Sequence, residues 1–211
     1  MYLSRIELDL NKYNTRRALS SPQILHAAVE GCFPDKESKD RKLWRLDFLH
    51  GDMFLLLLSP EVPDFSAFAQ QLCAEGIVGE TKDYKPLLTS IKNGSILHFR
   101  LRANPVHSVP LEKGTRGKVY AHVTVEQKRN WLMNKALSCG FSLNDNQFDL
   151  VETDYLRFWR IKKERPVEIE AAVFEGVLEV TDADMFVQAL STGIGRAKAY
   201  GCGLLTIAGS K

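Results

Sequence analysis

The residues best typed for chemistry are one histidine and several clusters of cations. His26 lies in a stretch whose apolar residues, Ile24, Leu25, Ala28, Val29 and Cys32, fall on one helical stripe. At about 100° per residue its imidazole points roughly 130° away from the centre of that stripe. An accessible histidine is therefore expected rather than a core one. Glu30 follows one turn later and could orient or charge it. A histidine titrates at about 6.5 when unperturbed, so it can give or take a proton at neutral pH. The alternative is an ordinary surface residue.

The cations are unevenly placed. Between Ser95 and Arg129 there are seven basic residues, among them Arg100, Arg102 and Lys128, against two acidic ones. Between Arg157 and Arg165 there are five, Arg157, Arg160, Lys162, Lys163 and Arg165, against Glu164 alone. The rest of the chain is net acidic, although the whole carries only +2. This pattern reads either as a local anion-binding face or as solvated surface charge. Near the C-terminus, Gly193-Ile-Gly-Arg-Ala-Lys-Ala-Tyr-Gly-Cys-Gly sets Arg196 and Lys198 among four glycines. A glycine-rich loop with free amides and cations suits a polyanion such as a nucleic-acid backbone. It suits equally a helix cap and a tight turn into a last strand.

Other chemistries lack their signatures. There is no phosphate-binding P-loop, H-E-x-x-H or G-x-S-x-G, and the five histidines have no ligand spacing. Asp182 and Asp184 resemble a metal pair, but carboxylates at a predicted helix start read as caps. No metal and no cofactor is expected. The four cysteines have no C-x-x-C pair, which argues for reduced thiols in a cytoplasmic protein. No run reaches the ~20 apolar residues of a membrane span, and the N-terminus lacks the form of a signal peptide.

The elements that must position these residues repeat. Tyr2–Leu10 alternates as a strand. Ser21-Pro22 opens a helix that Gly31 and Pro34 end. Strands over Leu43–Leu49 and Met53–Ser59 flank a His50-Gly51-Asp52 turn. Asp64 caps a short helix, and an edge strand is expected over Tyr84–Ile91. The second half reads the same way: a strand from Ile96 to Leu101, a helix from Val125 to Cys139, and strands over Phe148–Ile161 and Ile169–Val180. A helix capped by Asp182 or Asp184 and a strand over Leu204–Ala208 complete it. Two tandem ferredoxin-like βαββαβ domains of α+β class follow, spanning 1–93 and 94–211. Neither half carries the aromatic sequence with which RNA-recognition sheets stack bases.

Met-Tyr-Leu-Ser at the start, Phe99-Arg-Leu-Arg-Ala-Asn-Pro105, Phe174-Glu-Gly-Val-Leu178 and the glycine-rich segment to Leu205 occur in the order seen in one family. Over residues 1 to about 208 the chain resembles the CasE family, CRISPR RNA-processing endoribonucleases that stay in the type I-E Cascade complex. The resemblance implies metal-independent cleavage at the 3′ base of a CRISPR repeat RNA stem-loop, with the substrate 2′-hydroxyl as nucleophile. It implies the other Cascade subunits as partners, with no membrane. It assigns His26 as the catalytic histidine and the Arg157–Arg165 hairpin, with Arg157 and Arg160 foremost, as the element that docks on the stem. Arg100 and Arg102 lie in the family signature, on one face of a strand, where they bind RNA or pair with carboxylates such as Glu175. One departure stands out. Members often have tyrosine three residues before the histidine, where this chain has Gln23, so the second catalytic group falls to another residue such as Lys128 or Tyr13. A non-cleaving RNA-holding subunit is the alternative that departure permits; an unrelated tandem ferredoxin-like structural protein is a third reading.

Overall fold

The computed structural model describes residues 1–34, 41–110, 117–159 and 166–209. The chain divides into two compact units: Met1–Ser90 together with Lys198–Leu204, and Ile91–Ala197 together with the chain from Leu205 onward.

The first unit runs β1 (Tyr2–Leu8), α1 (Tyr13–Leu19), α2 (Pro22–Glu30), β2 (Leu43–Leu49), β3 (Asp52–Ser59), α3 (Ser66–Leu72), β4 (Glu80–Asp83) and α4 (Lys85–Ser90). Its antiparallel sheet has the order β2-β3-β1-β4. Alternation along β1 turns Ser4, Ile6 and Leu8 inward. Ile6, Leu8, Leu55 and Leu57 form one core with Leu25 and Val29 of α2 and Phe68 and Leu72 of α3. Positive φ at His50 and Gly51 supplies the tight two-residue hairpin between β2 and β3. Pro22 opens α2 at a position where its missing N–H costs nothing.

The edge strand expected over Tyr84–Ile91 is corrected: Lys85–Ser90 is helical and the edge is β4, over Glu80–Asp83. Asp83 Oδ1 accepts the Lys85 amide at 2.9 Å, starting the helix. Pro86 lies in its first turn, where proline is tolerated. Helix α1 carries no apolar stripe and so leaves no periodic signal in the sequence.

The second unit runs β5 (Ile96–Ala103), β6 (Val106–Val109), β7 (Lys118–Ala121), α5 (Val125–Leu137), β8 (Phe141–Phe158), β9 (Val167–Val180), α6 (Ala183–Thr192) and β10 (Leu205–Gly209). Its main sheet has the order β10-β5-β9-β8, the same topology as the first, with the small β6–β7 hairpin as an insertion. Thr124 and Gln127 form a reciprocal capping box at the start of α5. Asp182 accepts the Met185 amide and caps α6, which accounts for the carboxylate that resembled a metal ligand. The β8–β9 pair holds two irregularities, between Leu143 and Phe148 and between Leu150 and Glu152. Gly176 sits at the first with φ +156, where a Cβ would fall 2.2 Å from the Gln147 carbonyl oxygen. Only glycine lets the two backbones meet there.

Candidate functional site

In the first unit the site is built on α2. Its fully buried residues are Pro22, Leu25 and Val29. Ile24 and Ala28 instead line a groove with Asn14 and Arg17 of α1 and with Phe68 of α3. The buried stripe is therefore narrower than the sequence suggests, and His26 stands roughly 70° from its centre at ~100° per residue, not 130°. It occupies the flank of the helix. Its side chain is 36% exposed, yet Nδ1 is buried and has no hydrogen-bond partner. Exposure therefore belongs to the rest of the ring. Glu30 Oε1 lies 4.0 Å from Nδ1, and Glu30 Oε2 accepts from Lys42 Nζ at 3.0 Å. Gln23, one turn before His26, is half-buried, and Tyr13 at the start of α1 is exposed.

The glycine-rich segment contributes a 3-10 turn, Lys198–Tyr200, which packs against α2 and β2 inside this unit. A Cβ at Gly201, whose φ is +77, would lie 2.7 Å from the Trp44 ring. The close approach needs glycine on both counts. Ala197 just before the turn holds φ 62, a conformation alanine rarely adopts. At the far end, Leu204 O accepts from Arg45 Nη1 at 3.0 Å. Lys198 is half-buried and engaged, whereas Arg196, in the second unit, is exposed.

In the second unit the cations separate into distinct kinds. Arg157, near the end of β8, is 61% exposed and makes a loose 3.4 Å contact with Glu168. Tyr155, exposed on the same strand, is raised above its ordinary titration range mainly by desolvation and by its hydrogen bond to Glu168. Arg160, Lys162 and Lys163 lie outside the described residues. Arg100 pairs with Glu175, its cross-strand neighbour, and Arg102 Nη2 pairs with Asp154 Oδ2 at 2.8 Å. These two arginines share one sheet face but are already matched with carboxylates. Lys128 differs most from expectation: its side chain is 3% exposed and its ammonium donates to Glu170 at 2.7 Å. A buried lysine needs such a partner, and this one acts inside the unit rather than at a surface. Arg129 is similarly occupied. It lies over the Phe148 ring and donates to the Phe148 carbonyl and Asp145.

Two features had no sequence signal. Lys42 reaches Glu30 across 12 residues. On the β6–β7 hairpin, His107 stacks on Tyr120 and lies tilted against His122, with centroids 6.0 and 4.8 Å away. Burial and the neighbouring His107 hold His122 below the usual histidine range. Among the described residues no cluster of three or more His, Cys, Asp or Glu side chains is placed to hold a metal.

Two antiparallel sheets of the same strand order, each carrying helices between its strands, define a tandem ferredoxin-like protein. A family model described as CRISPR associated protein matches residues 1–209, and the chain belongs to that family. It is 29% identical to the CRISPR-associated endoribonuclease Cse3 of Thermus thermophilus, covering 99% of this chain and all of that one. It is 26% identical to the CRISPR system Cascade subunit CasE of Escherichia coli K12, over 54% of this chain and 59% of that protein. The solved structure of CRISPR endoribonuclease Cse3 bound to a 19-nucleotide RNA superimposes with a TM-score of 0.84 at 29% identity, covering 99% of this chain and 100% of that one.

Proposed function

We propose that this protein is an endoribonuclease that cleaves the stem-loop of CRISPR repeat RNA and keeps the product within Cascade. The observation that carries this reading is the end-to-end likeness, in sequence and fold, to an endoribonuclease solved with RNA bound. The likeness to a Cascade subunit supports the other Cascade proteins as partners. No described helix is long and apolar enough to cross a membrane, and we assign the protein to the cytoplasm. We treat residues 1–93 and 94–211 as the two domains.

The chemistry asks for no nucleophile from the protein. The substrate 2′-oxygen attacks the adjacent phosphorus, the P–O5′ bond breaks, and a cyclic phosphate and a 5′-hydroxyl result. One proton must leave the 2′-oxygen and one must reach the 5′-oxygen. His26, with its exposed ring edge, carries one of these transfers, and a group other than a tyrosine at position 23 assists. Arg157, Arg160, Lys162, Lys163, Arg196 and Lys198 hold phosphates. Arg100 and Arg102 contribute only by exchanging their carboxylates for RNA, and Lys128, buried against Glu170, does not take part.

The test is incubation of the purified protein with its repeat hairpin. Cleavage by the wild type, with His26→Ala slowed about 10²–10⁴-fold at nearly intact affinity, supports the reading. Gln23 favours one alternative, a subunit that binds without cutting; a gel shift with no product would establish it. Loss of affinity in His26→Ala would make this residue a binding group instead.

A further inference from the structure

The pieces around His26 Nδ1 carry one step more. The nitrogen is buried and has no hydrogen-bond partner, which is costly for a polar atom. The carboxylate recorded near it is Glu30, whose Oε1 stands 4.0 Å away. That gap exceeds a hydrogen bond, so the two side chains must draw together for one to form. Glu30 is not a loose surface acid. Its other oxygen is tied at 3.0 Å to Lys42, whose side chain is only 6% exposed and whose ammonium lies 4.9 Å from the centre of the Phe33 ring.

We propose that Glu30, anchored by Lys42, is the positioning residue for His26, accepting a hydrogen bond from Nδ1–H and so leaving Nε2 as the nitrogen that exchanges protons with RNA. The inference rests on the reading of His26 as a proton-transfer group. It follows from the difference between the two ring nitrogens: the one that meets a carboxylate carries the proton, and the other keeps its lone pair. When Nε2 takes a proton, the imidazolium is stabilised by the same carboxylate. Lys42 fixes the carboxylate in place and opposes part of its charge.

Of the other titratable groups on the elements packed against α2, three have partners of their own and Arg17 lies on another side of the helix. Arg16 of α1 donates to the Leu10 and Asn11 carbonyls. Arg17 lines the groove on the Ile24 and Ala28 side of the helix. Lys198 and Tyr200, on the 3-10 turn, already have partners.

The experiment compares wild type, Glu30→Gln, Lys42→Met and His26→Ala on one repeat hairpin, with single-turnover rates and, without RNA, the ring 15N chemical shifts of His26, which report the nitrogen that carries the proton. Glu30→Gln should slow cleavage about 10–100-fold, as loss of an orienting partner does at other sites. It should also lower the share of the ring that carries its proton on Nδ1, because the acceptor that favours that tautomer is gone. Lys42→Met should slow cleavage less than Glu30→Gln does, because the carboxylate is still present but no longer held at 3.0 Å. Hairpin affinity should stay within about twofold in both, since neither change touches a phosphate contact. A His26 tautomer that is unchanged in Glu30→Gln overturns the proposal, and does so whether or not His26 is catalytic. Cleavage by His26→Ala at the wild-type rate would overturn the catalytic reading and, with it, the proposed role of Nε2.

Discussion

Asp47→Ala should destabilise the first unit by about 3–5 kcal/mol, the usual cost of leaving a buried ion without its partner. Arg45 and Asp47 lie two residues apart on β2, hence on one face of the strand, and both are buried. The contact is a two-pronged one: Nε donates to Oδ1 at 2.8 Å and Nη2 to Oδ2 at 2.6 Å. The third nitrogen donates to the Leu204 carbonyl, which ends the glycine-rich segment. Removing the carboxylate leaves a guanidinium that cannot shed its proton. In a chain of this size each kcal/mol shifts the unfolding temperature by about 2–4 °C, so a fall of roughly 6–20 °C is expected. Calorimetric unfolding at neutral pH reads it directly. The double variant Arg45→Met/Asp47→Leu should recover most of the loss, because exchanging a whole buried pair for apolar residues is close to neutral. A shift under about 2 °C in Asp47→Ala, or a double variant less stable than the single one, would refute the reasoning.

The remaining predictions concern RNA and the thiols. Arg157→Ala should weaken hairpin binding and reduce the slope of log affinity against log salt by roughly 0.7–0.9; an unchanged slope would leave Arg157 a solvated surface residue. Lys128→Ala should lower the unfolding temperature and leave that slope unaltered, since its charge is matched by Glu170; a flattened slope would return it to the RNA. Gln23→Ala should slow single-turnover cleavage only modestly, and Gln23→Tyr should leave it unchanged or faster; a loss matching His26→Ala would show that Gln23 is itself essential. Burial pushes the Cys32 and Cys73 thiols up to about 12 and about 11. Both should resist iodoacetamide at pH 8 until the protein unfolds, and stability should decline as pH rises past the ordinary thiol value of about 8.5; rapid labelling of the native protein would contradict their burial.

The sequence carried most of the fold because its strands alternate and its helices announce their caps. Leu43–Leu49 and the Ser21-Pro22 start match the observed elements to the residue. The failures have local causes. Helix α1 buries only Thr15 and Ala18, too few for a stripe. Helix α4 buries no residue at all, and its apolar pair Leu87-Leu88 reads equally as strand. At the site, residue types were legible, as were the local or cross-strand neighbours Glu30 and Glu175, but the more distant partners were not. The alternation of β5 put Arg100 and Arg102 on one face with Glu175 as a candidate partner, and the strand register gives it to Arg100, whereas nothing in the sequence pointed Arg102 to Asp154. Lys128 sits among polar residues on α5, and nothing local marks it as buried against Glu170. Lys42 lies 12 residues from Glu30, a contact that exists only once the chain after α2 has folded back onto it.

The central claim is that the substrate supplies the nucleophile and the protein moves the protons. It is tested most directly by one substitution in the RNA: a repeat hairpin with a 2′-deoxy sugar on the nucleotide just 5′ of the cut, compared with the all-ribose hairpin in excess EDTA. The account predicts complete cleavage of the ribose hairpin, ending in a cyclic phosphate and a 5′-hydroxyl, and equal binding with no product for the deoxy hairpin. Cleavage of the deoxy hairpin would contradict it.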